Sequence, residues 1–235
     1  MLYCSPEPDY FDVATPTDSH VETVKKILTQ YPAANILVEK PVCMPSETEE
    51  LKELEKKFKK AKIVVVPLGE VDFMLVNRLA TTIGPVFGRS VDILKGMKIP
   101  EEAYNVIRNQ HYASIILAKL ERVKANPREL ILGVSEEDIY MPDEPYILGH
   151  ADVVLGTGVI SLFRIRQEFY GLPEDEQKVY GRLFKQSVHL MSHLFELSGC
   201  RNPKCINFYS QDMFDIDNKG EKLCDICKRQ LLEKV

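Results

Sequence analysis

Four cysteines close to the C-terminal end of the chain constrain its fold more than any other feature. Cys200 and Cys205 are separated by four residues, and Cys224 and Cys227 are separated by two. Two closely spaced pairs of this kind converge on one tetrahedral zinc ion, and such a site contributes directly to the free energy of folding. The spacing therefore predicts a small C-terminal subdomain that is held together by a four-cysteine zinc site.

The two remaining cysteines and the net charge indicate in which cellular compartment the protein acts and which classes of partner it binds. Cys4 and Cys43 have no close partner in the sequence, which favours reduced thiols over a disulfide framework. The N-terminal segment is acidic and has no apolar signal region, and no apolar run approaches the ~20 residues that span a bilayer. The net charge of −5 does not favour nucleic acid. We therefore expect a cytoplasmic protein without nucleic-acid or membrane partners.

A histidine pair forms a second candidate metal site just before the cysteines. His189 and His193 lie on a predicted helix that runs from near Glu174 to about Leu197, where Gly199 can end it. At 100° per residue the two imidazoles lie about 40° apart, which is how a helix presents ligands to zinc. A hydrolytic zinc also needs a carboxylate base and a third ligand. The residue after His189 is Leu190, which cannot accept a proton.

Several side chains are candidates for the missing third ligand. Glu196 lies on the same helix face as the pair, but three ligands from one continuous helix crowd a metal ion. His150, just before a predicted strand at 151–156, is a second candidate and also fits an ordinary surface histidine. We expect His20 and His111 to be structural or solvent-facing. The sequence leaves open whether the histidine pair is a residual feature of an inactive cleft or a weakened zinc site that Glu196 or an outside carboxylate completes.

The hydrophobic pattern divides the chain into an N-terminal region, residues 1–62, and a C-terminal region, residues 63–235. In the N-terminal region, short strands alternate with helices, which predicts parallel pairing in a partial β-α-β-α Rossmann-like unit. These elements are strands 11–14 and 36–38, a helix that Thr17 or Asp18 caps, and a helix at 47–60. The C-terminal region is predicted to be α/β. Its predicted strands are 63–69, 90–94, 130–134, 138–141, 151–156 and 159–162, and its first helices are 71–83 and 104–124.

Residues 63–235 resemble the archaemetzincins, a zinc-metallopeptidase family of the metzincin clan. Apart from the cysteine spacing, the resemblance rests on motifs that include Val66-Pro67-Leu68-Gly69, Leu132-Gly133-Val134 and Phe169-Tyr170-Gly171-Leu172-Pro173. It implies a metzincin-like twisted sheet with a backing helix, an active-site helix and a small C-terminal subdomain with a four-cysteine zinc. It also implies that an extended peptide or protein segment binds along an edge strand.

The family motif can be carried over residue by residue. Its first two zinc histidines fall on His189 and His193, and its four cysteines are all retained. Four other positions differ, because Leu190 replaces the catalytic glutamate, Glu196 the helix-ending glycine, Gly199 the third zinc histidine and Asn207 the Met-turn methionine. The resemblance implies one structural zinc, an uncertain second zinc and an inactive or altered peptidase homologue. An active zinc metallopeptidase or aminopeptidase with non-standard ligands is the alternative.

The N-terminal region resembles a different family. Asp12-Val13-Ala14-Thr15-Pro16-Thr17, followed by Glu39-Lys40-Pro41, is similar to the middle of Gfo/Idh/MocA-type NAD(P)-dependent oxidoreductases. Lys40 matches the lysine that lies beside the nicotinamide in that family. No Gly-x-Gly-x-x-Gly turn precedes this segment. We therefore expect a truncated, structural remnant fused to the C-terminal region, with oxidoreductase activity as a further alternative.

Overall fold

The computed structural model describes residues 10–13, 20–30, 35–38 and 62–234. The chain divides into two compact units, residues 1–60 and 61–235. The predicted helix at 47–60, together with Lys40, Cys4 and Cys43, lies outside the described residues. In the described stretches of the chain, none of the helices combines the length and the apolar character needed to cross a membrane.

The described residues of the first unit form a parallel strand pair and one helix. These elements are β1 (Tyr10–Val13), α1 (His20–Gln30) and β2 (Asn35–Val38). β1 and β2 pair in parallel, with Tyr10 opposite Asn35. Val21 and Val24 are buried on one face of α1. The predicted parallel pairing of the first two strands is confirmed.

The second unit is built on a five-stranded sheet with the order β4-β3-β7-β10-β9, and β5, β6 and β8 form a separate small sheet. Its strands are β3 (Ile63–Leu68), β4 (Val91–Ile93), β5 (Tyr104–Asn105), β6 (Gln110–Tyr112), β7 (Leu130–Ser135), β8 (Ile139–Tyr140), β9 (Gly149–Asp152) and β10 (Thr157–Ser161). Its helices are α2 (Phe73–Phe87), α3 (Ala113–Glu121), α4 (Glu176–Leu194), α5 (Met213–Asn218) and α6 (Asp225–Lys234).

The large sheet is covered by helices on both faces. β4, β3, β7 and β10 run parallel, whereas β9 is antiparallel to β10 and forms one edge of the sheet. Along β3 the side chains alternate, so that Ile63 and Val65 pack with α2 and α4, while Val64 and Val66 pack with α3. Burial on both faces explains the continuous apolar run of β3. The predicted mixed α/β class is confirmed.

The predicted end of the first helix of this unit at residue 83 was wrong. α2 continues to Phe87 and ends at Gly88, which has a φ of +59° and whose N–H donates to the Gly84 carbonyl. Gly84 instead permits close packing, since a Cβ there would lie 2.8 Å from the Arg89 carbonyl oxygen. Pro85 lies within the last turn of α2, where its lack of an N–H costs the helix one backbone hydrogen bond.

The predicted long helix at 104–124 was also wrong. Its first half is the β5–β6 hairpin, and only the second half is helical, as α3. The Asn105 side chain accepts hydrogen bonds from the N–H groups of Ile107 and Arg108, and Asn109 adopts a φ of +52°. Local bonds of this type compete with helix formation. Ile107, an apolar residue within the predicted helix, is 97% exposed.

Two smaller boundaries also differ from the prediction. The edge strand β9 covers 149–152, not 151–156, because residues 153–156 form the turn to β10. The helix of the histidines, α4, ends at Leu194, and Glu196 rather than Gly199 takes up the left-handed conformation after it, with a φ of +58°.

Candidate functional site

The position of α4 in the second unit is fixed by a buried arginine. Arg182 donates two hydrogen bonds to the Asp217 carboxylate, of 2.8 and 2.7 Å, and a third of 2.8 Å to the Ile165 carbonyl oxygen. These bonds tie α4 to α5 and to the segment that follows β10. The Asp175 side chain accepts from the Lys178 N–H and caps the start of α4. The histidine pair therefore lies on a well-anchored helix.

His189 is held in one orientation by a backbone carbonyl. Its Nδ1 atom lies 3.2 Å from the Asn207 carbonyl oxygen. Because a carbonyl oxygen only accepts, we assign the proton to Nδ1, which leaves Nε2 with a lone pair. The His193 ring stands nearly perpendicular to the His189 ring, with centroids 4.7 Å apart. An imidazole whose Nδ1–H is bound to a carbonyl is the form that typically ligates a metal.

Both histidines are shifted toward their neutral forms. Burial, together with the positive charge of Lys219, lowers the pKa of His189 to about 3. Burial also lowers the pKa of His193. Neutral imidazoles are able to ligate a metal or accept hydrogen bonds at neutral pH.

Leu190 occupies the position next to His189 where a hydrolytic base would be needed. Its side chain is only 4% exposed and belongs to the core under α4. It lies against β9, since a Cβ on Gly149 would come within 2.7 Å of the Leu190 Cδ1 atom. Leu190 and His189 line a cleft together with Gln186, with residues 144–149 and with residues 209–211.

The candidate third ligands do not join the histidine pair. The Glu196 carboxylate is exposed and accepts a 2.7 Å bond from Lys234 Nζ. Gly149 faces α4, so strand alternation places the His150 side chain on the opposite face of the sheet, although its charge still contributes to the lowered pKa of His193. Within the described ranges, the ligand atoms of His189, His193 and Glu196 do not form a converging group.

The two other histidines lie elsewhere. His111 is in β6, where its ring packs against the Tyr104 ring at a centroid distance of 5.1 Å. His20 begins α1, and its side chain lies outside the described residues.

The four C-terminal cysteines do converge. Their Sγ atoms all lie within 4.8 Å of one another, with 3.7 Å between Cys200 and Cys224 and 3.8 Å between Cys205 and Cys227. A tetrahedral zinc with Zn–S bonds of about 2.3 Å separates its sulphurs by about 3.8 Å. The separations of these two sulphur pairs therefore fit a zinc ion and are much longer than a disulfide bond.

Hydrogen bonds to sulphur surround the same cluster. The Asn202 N–H donates to Cys200 Sγ at 3.4 Å, and the Cys224 N–H donates to Cys205 Sγ at 3.2 Å. The Cys227 backbone N–H lowers the pKa of the Cys224 thiol to about 7, whereas burial raises the pKa values of Cys200 and Cys227. Cys224 directly precedes α6, and the N-terminus of a helix favours a thiolate. These contacts are suited to a cluster of thiolates around a cation.

Asn207 connects the histidine pair to the cysteine cluster. Its carbonyl oxygen accepts from His189, and its side-chain Nδ2 lies 3.7 Å from Cys227 Sγ and donates to the Ser198 carbonyl at 3.2 Å. In the sequence this residue stood out only as a replaced Met-turn position. Gln186, Tyr209 and Lys219 were missed altogether, because isolated polar residues carry no spacing signal.

Comparison with known protein families gives two matches. Residues 75–233 match the sequence model described as peptidase family M54. Residues 2–67 match the one described as an oxidoreductase family with an NAD-binding Rossmann fold. The second match extends slightly beyond the first compact unit and ends within β3.

The similar proteins agree with the first match. An archaemetzincin from Methanocaldococcus jannaschii is 33% identical over 173 residues, which are 74% of this chain and 94% of the relative. An archaemetzincin from Pyrococcus furiosus is 35% identical over 179 residues, which are 74% of this chain and 93% of the relative. The crystal structure of a zinc-dependent peptidase from Methanocorpusculum labreanum superposes with a TM-score of 0.67 at 27% identity, covering 72% of this chain and 99% of the other. The crystal structure of an archaemetzincin from Archaeoglobus fulgidus, complexed with malonate, superposes with a TM-score of 0.62 at 28% sequence identity. It covers 72% of this chain and 99% of the other.

Proposed function

The chain belongs to peptidase family M54, the archaemetzincins, and we propose that it is a zinc-binding member with an impaired peptidase centre. The main support is Leu190. It stands beside His189 where the family motif has its glutamate, and it is packed against Gly149 rather than open to a bound water. Loss of a general base costs about 10²–10⁴ in rate. Gly199, at the position of the third zinc histidine, offers no ligand atom.

We place a single structural zinc at the four cysteines. The sulphur distances and the N–H groups that point to the sulphurs support this assignment. A zinc ion there would join the segment after α4 to the start of α6 and stabilise the C-terminal subdomain. Reduced thiols of this kind are typical of the cytoplasm, which is where we expect the protein to act.

The retained cleft would bind an extended peptide without cleaving it. β9 is an edge strand of the large sheet and its Gly149 lines the cleft, so a peptide can add to its free edge by backbone hydrogen bonds. The histidine pair lies at the same cleft and would contact the peptide rather than activate water.

A peptide library provides the test of this function. We expect the zinc-loaded protein to retain a subset of unstructured peptides and to release them uncut, as judged by mass spectrometry. Hydrolysis that stops with a chelator and with His189→Ala would contradict the proposal. A library from which nothing is retained would also contradict it.

An active peptidase with altered ligands is the second candidate for this cleft. It is favoured by His189, whose Nδ1–H is bound to the Asn207 carbonyl and whose Nε2 is left able to ligate a metal. Tyr209, whose ring centroid lies 6.5 Å from that of His189, would be close to a metal there. If this candidate is correct, the protein should cleave peptides in the library, and both a chelator and His189→Ala should stop the cleavage.

A redox function would require the first unit to bind a dinucleotide. Its support is the match of residues 2–67 to an NAD-binding family. Residues 1–68 contain no glycine, whereas the pyrophosphate turn of that fold depends on glycines. We therefore propose a structural role for this unit. Saturable binding of NAD(H) in a calorimetric titration would overturn that proposal.

A further inference from the structure

The inner end of the cleft contains buried polar atoms that need a partner. Gln186 and Ser210 both line the cleft and are only 3% and 4% exposed. Gln186 Oε1 and Ser210 Oγ have no hydrogen-bond partner among the described residues. A buried polar atom without a partner costs about 1–3 kcal/mol, which makes such atoms unusual in a native core. Their position along one cleft indicates a place for a hydrogen-bonding group.

His189 adds a further acceptor to this end of the cleft. It lies three residues after Gln186 on α4, so the two side chains share a helix face. Because Nδ1–H is engaged with the Asn207 carbonyl, Nε2 can only accept while the ring is neutral. A ligand that bonds both atoms would therefore donate to Nε2 and to Gln186 Oε1. The Ser210 hydroxyl can donate or accept.

The charged residues near this end of the cleft restrict the chemical class of the ligand. A carboxylate has no proton to donate to the two acceptors. An ammonium would be placed near Lys219, which is only 3% exposed and whose charge acts on His189. Burial lowers the pKa of Lys219 itself to about 7, so a second cation beside it would add to a charge that is already costly to bury. Glu144 also lines the cleft, but it is exposed, so solvent and salt screen its charge more than that of Lys219. The group that fits is neutral and carries two hydrogen-bond donors and one acceptor, as a primary carboxamide does.

We infer that Gln186, His189 and Ser210 form a subsite for a primary carboxamide, such as an asparagine or glutamine side chain of the bound peptide. The two amide hydrogens would bond to Gln186 Oε1 and His189 Nε2, and the amide oxygen would accept from the Ser210 hydroxyl. This inference rests on the proposed peptide-binding role of the cleft and adds the class of side chain that it selects.

Small probes test the subsite independently of any peptide. Acetamide, acetate and methylammonium would be titrated at equal ionic strength into the full chain with ¹⁵N-labelled histidine. The Nε2 resonance of His189 reports its hydrogen bonding. We expect a saturable shift with acetamide at millimolar concentrations, as befits so small a ligand, and no comparable shift with the two ions. Gln186→Leu should abolish the shift, and Ser210→Ala should weaken it.

A matched control guards against loss of folding. Gln177 is exposed on the first turn of α4, so Gln177→Leu should leave the acetamide shift unchanged. The zinc content and melting temperature of each variant would confirm that it folds. An equal shift with all three probes, no shift with acetamide, or a shift that survives in both Gln186→Leu and Ser210→Ala would overturn the inference. Peptides retained without a preference for asparagine or glutamine would contradict the subsite alone, whereas failure to retain any peptide would contradict the proposed function.

Discussion

The cysteine cluster and the histidine pair lie in the same region of the molecule but differ in where their ligands come from. The four sulphurs are contributed by two chain segments that approach each other, and backbone hydrogen bonds from Ile206 to Lys222 and from Gly220 to Lys204 hold those segments together. The two imidazoles come from one helix. A helix face supplies two ligands easily, whereas a third must come from elsewhere in the fold.

Under the proposed function, this difference explains how one metal site persists while another is lost. The cysteine cluster has its own backbone framework, and a zinc ion there would contribute to folding, so a substitution at a cysteine would disturb the whole C-terminal subdomain. The histidine pair is carried on α4, which is anchored by Arg182 and a buried core whether or not metal is present. On this proposal, Leu190 and Gly199 would have removed the chemistry of the histidine site without removing the fold.

The largest expected effect is that of a substitution in the cysteine cluster. Cys227→Ser should release zinc and unfold the C-terminal subdomain, because structural zinc contributes about 10–16 kcal/mol in small domains, as much as the stability of most proteins. Circular dichroism and elemental analysis would measure both changes. Cys43→Ser is the control, since Cys43 has no partner at ligand spacing. A Cys227→Ser protein that keeps its zinc and its melting temperature would refute the assignment.

The next largest effect is expected from a substitution at Leu190, the residue beside His189. Leu190→Glu should lower the free energy of unfolding by roughly 2–5 kcal/mol, because it buries a carboxylate against Gly149. It should not create peptidase activity, since the third metal ligand would still be missing. Denaturant unfolding and a peptide-cleavage assay would test both points, with Leu190→Met as the matched control. Cleavage by Leu190→Glu would show that the histidine pair binds a functional metal after all.

A pH effect is expected from His189 itself. Its pKa is lowered from 6.5 to about 3 in the folded chain, so the unfolded chain binds the proton more readily between these values. Stability should therefore fall as the pH decreases below 6.5, by up to about 1.4 kcal/mol per pH unit from this group. His189→Asn should remove that contribution to the slope, as measured by urea unfolding between pH 5 and pH 7.5. An identical slope in both proteins would contradict the burial argument.

The smallest effect concerns Glu196. Its φ of +58° favours glycine, so Glu196→Gly should relieve strain and raise the melting temperature by about 2 °C, despite losing an exposed ion pair with Lys234. Glu196→Ala keeps the strain and loses the pair, and should lower the melting temperature slightly. Zinc content should be unchanged in both. A fall in zinc content would indicate that Glu196 is a ligand.

Several elements of the fold were predictable because their signal is local and repeated. The apolar run of β3 and the helical pattern of α4 give their elements directly. The β5–β6 hairpin was missed because Asn105 and Asn109 stabilise a turn through single side-chain bonds that interrupt no apolar pattern. The end of α2 was missed because a glycine followed by a proline usually marks a helix end, whereas here Gly84 stays helical and packs closely against Arg89 in the turn that follows the helix.

The residues of the candidate site also divide into those that a sequence pattern predicts and those that it misses. Cysteine spacing singles out the four sulphurs, and a spacing of four singles out the histidine pair. The placement of Leu190 against β9 and the bridge formed by Asn207 depend on contacts across the fold. The orphaned oxygen of Gln186 depends on them as well. Such contacts leave no trace in the spacing of residues along the chain.

The most direct test of the account is the amount of zinc per chain, measured by elemental analysis on freshly purified protein and on His189→Ala. One zinc per chain is expected in both proteins, because among the residues that the structure describes only the cysteine cluster forms a complete ligand set. Two zinc ions in the unmodified chain that fall to one in His189→Ala would contradict it and show that the histidine pair still holds metal.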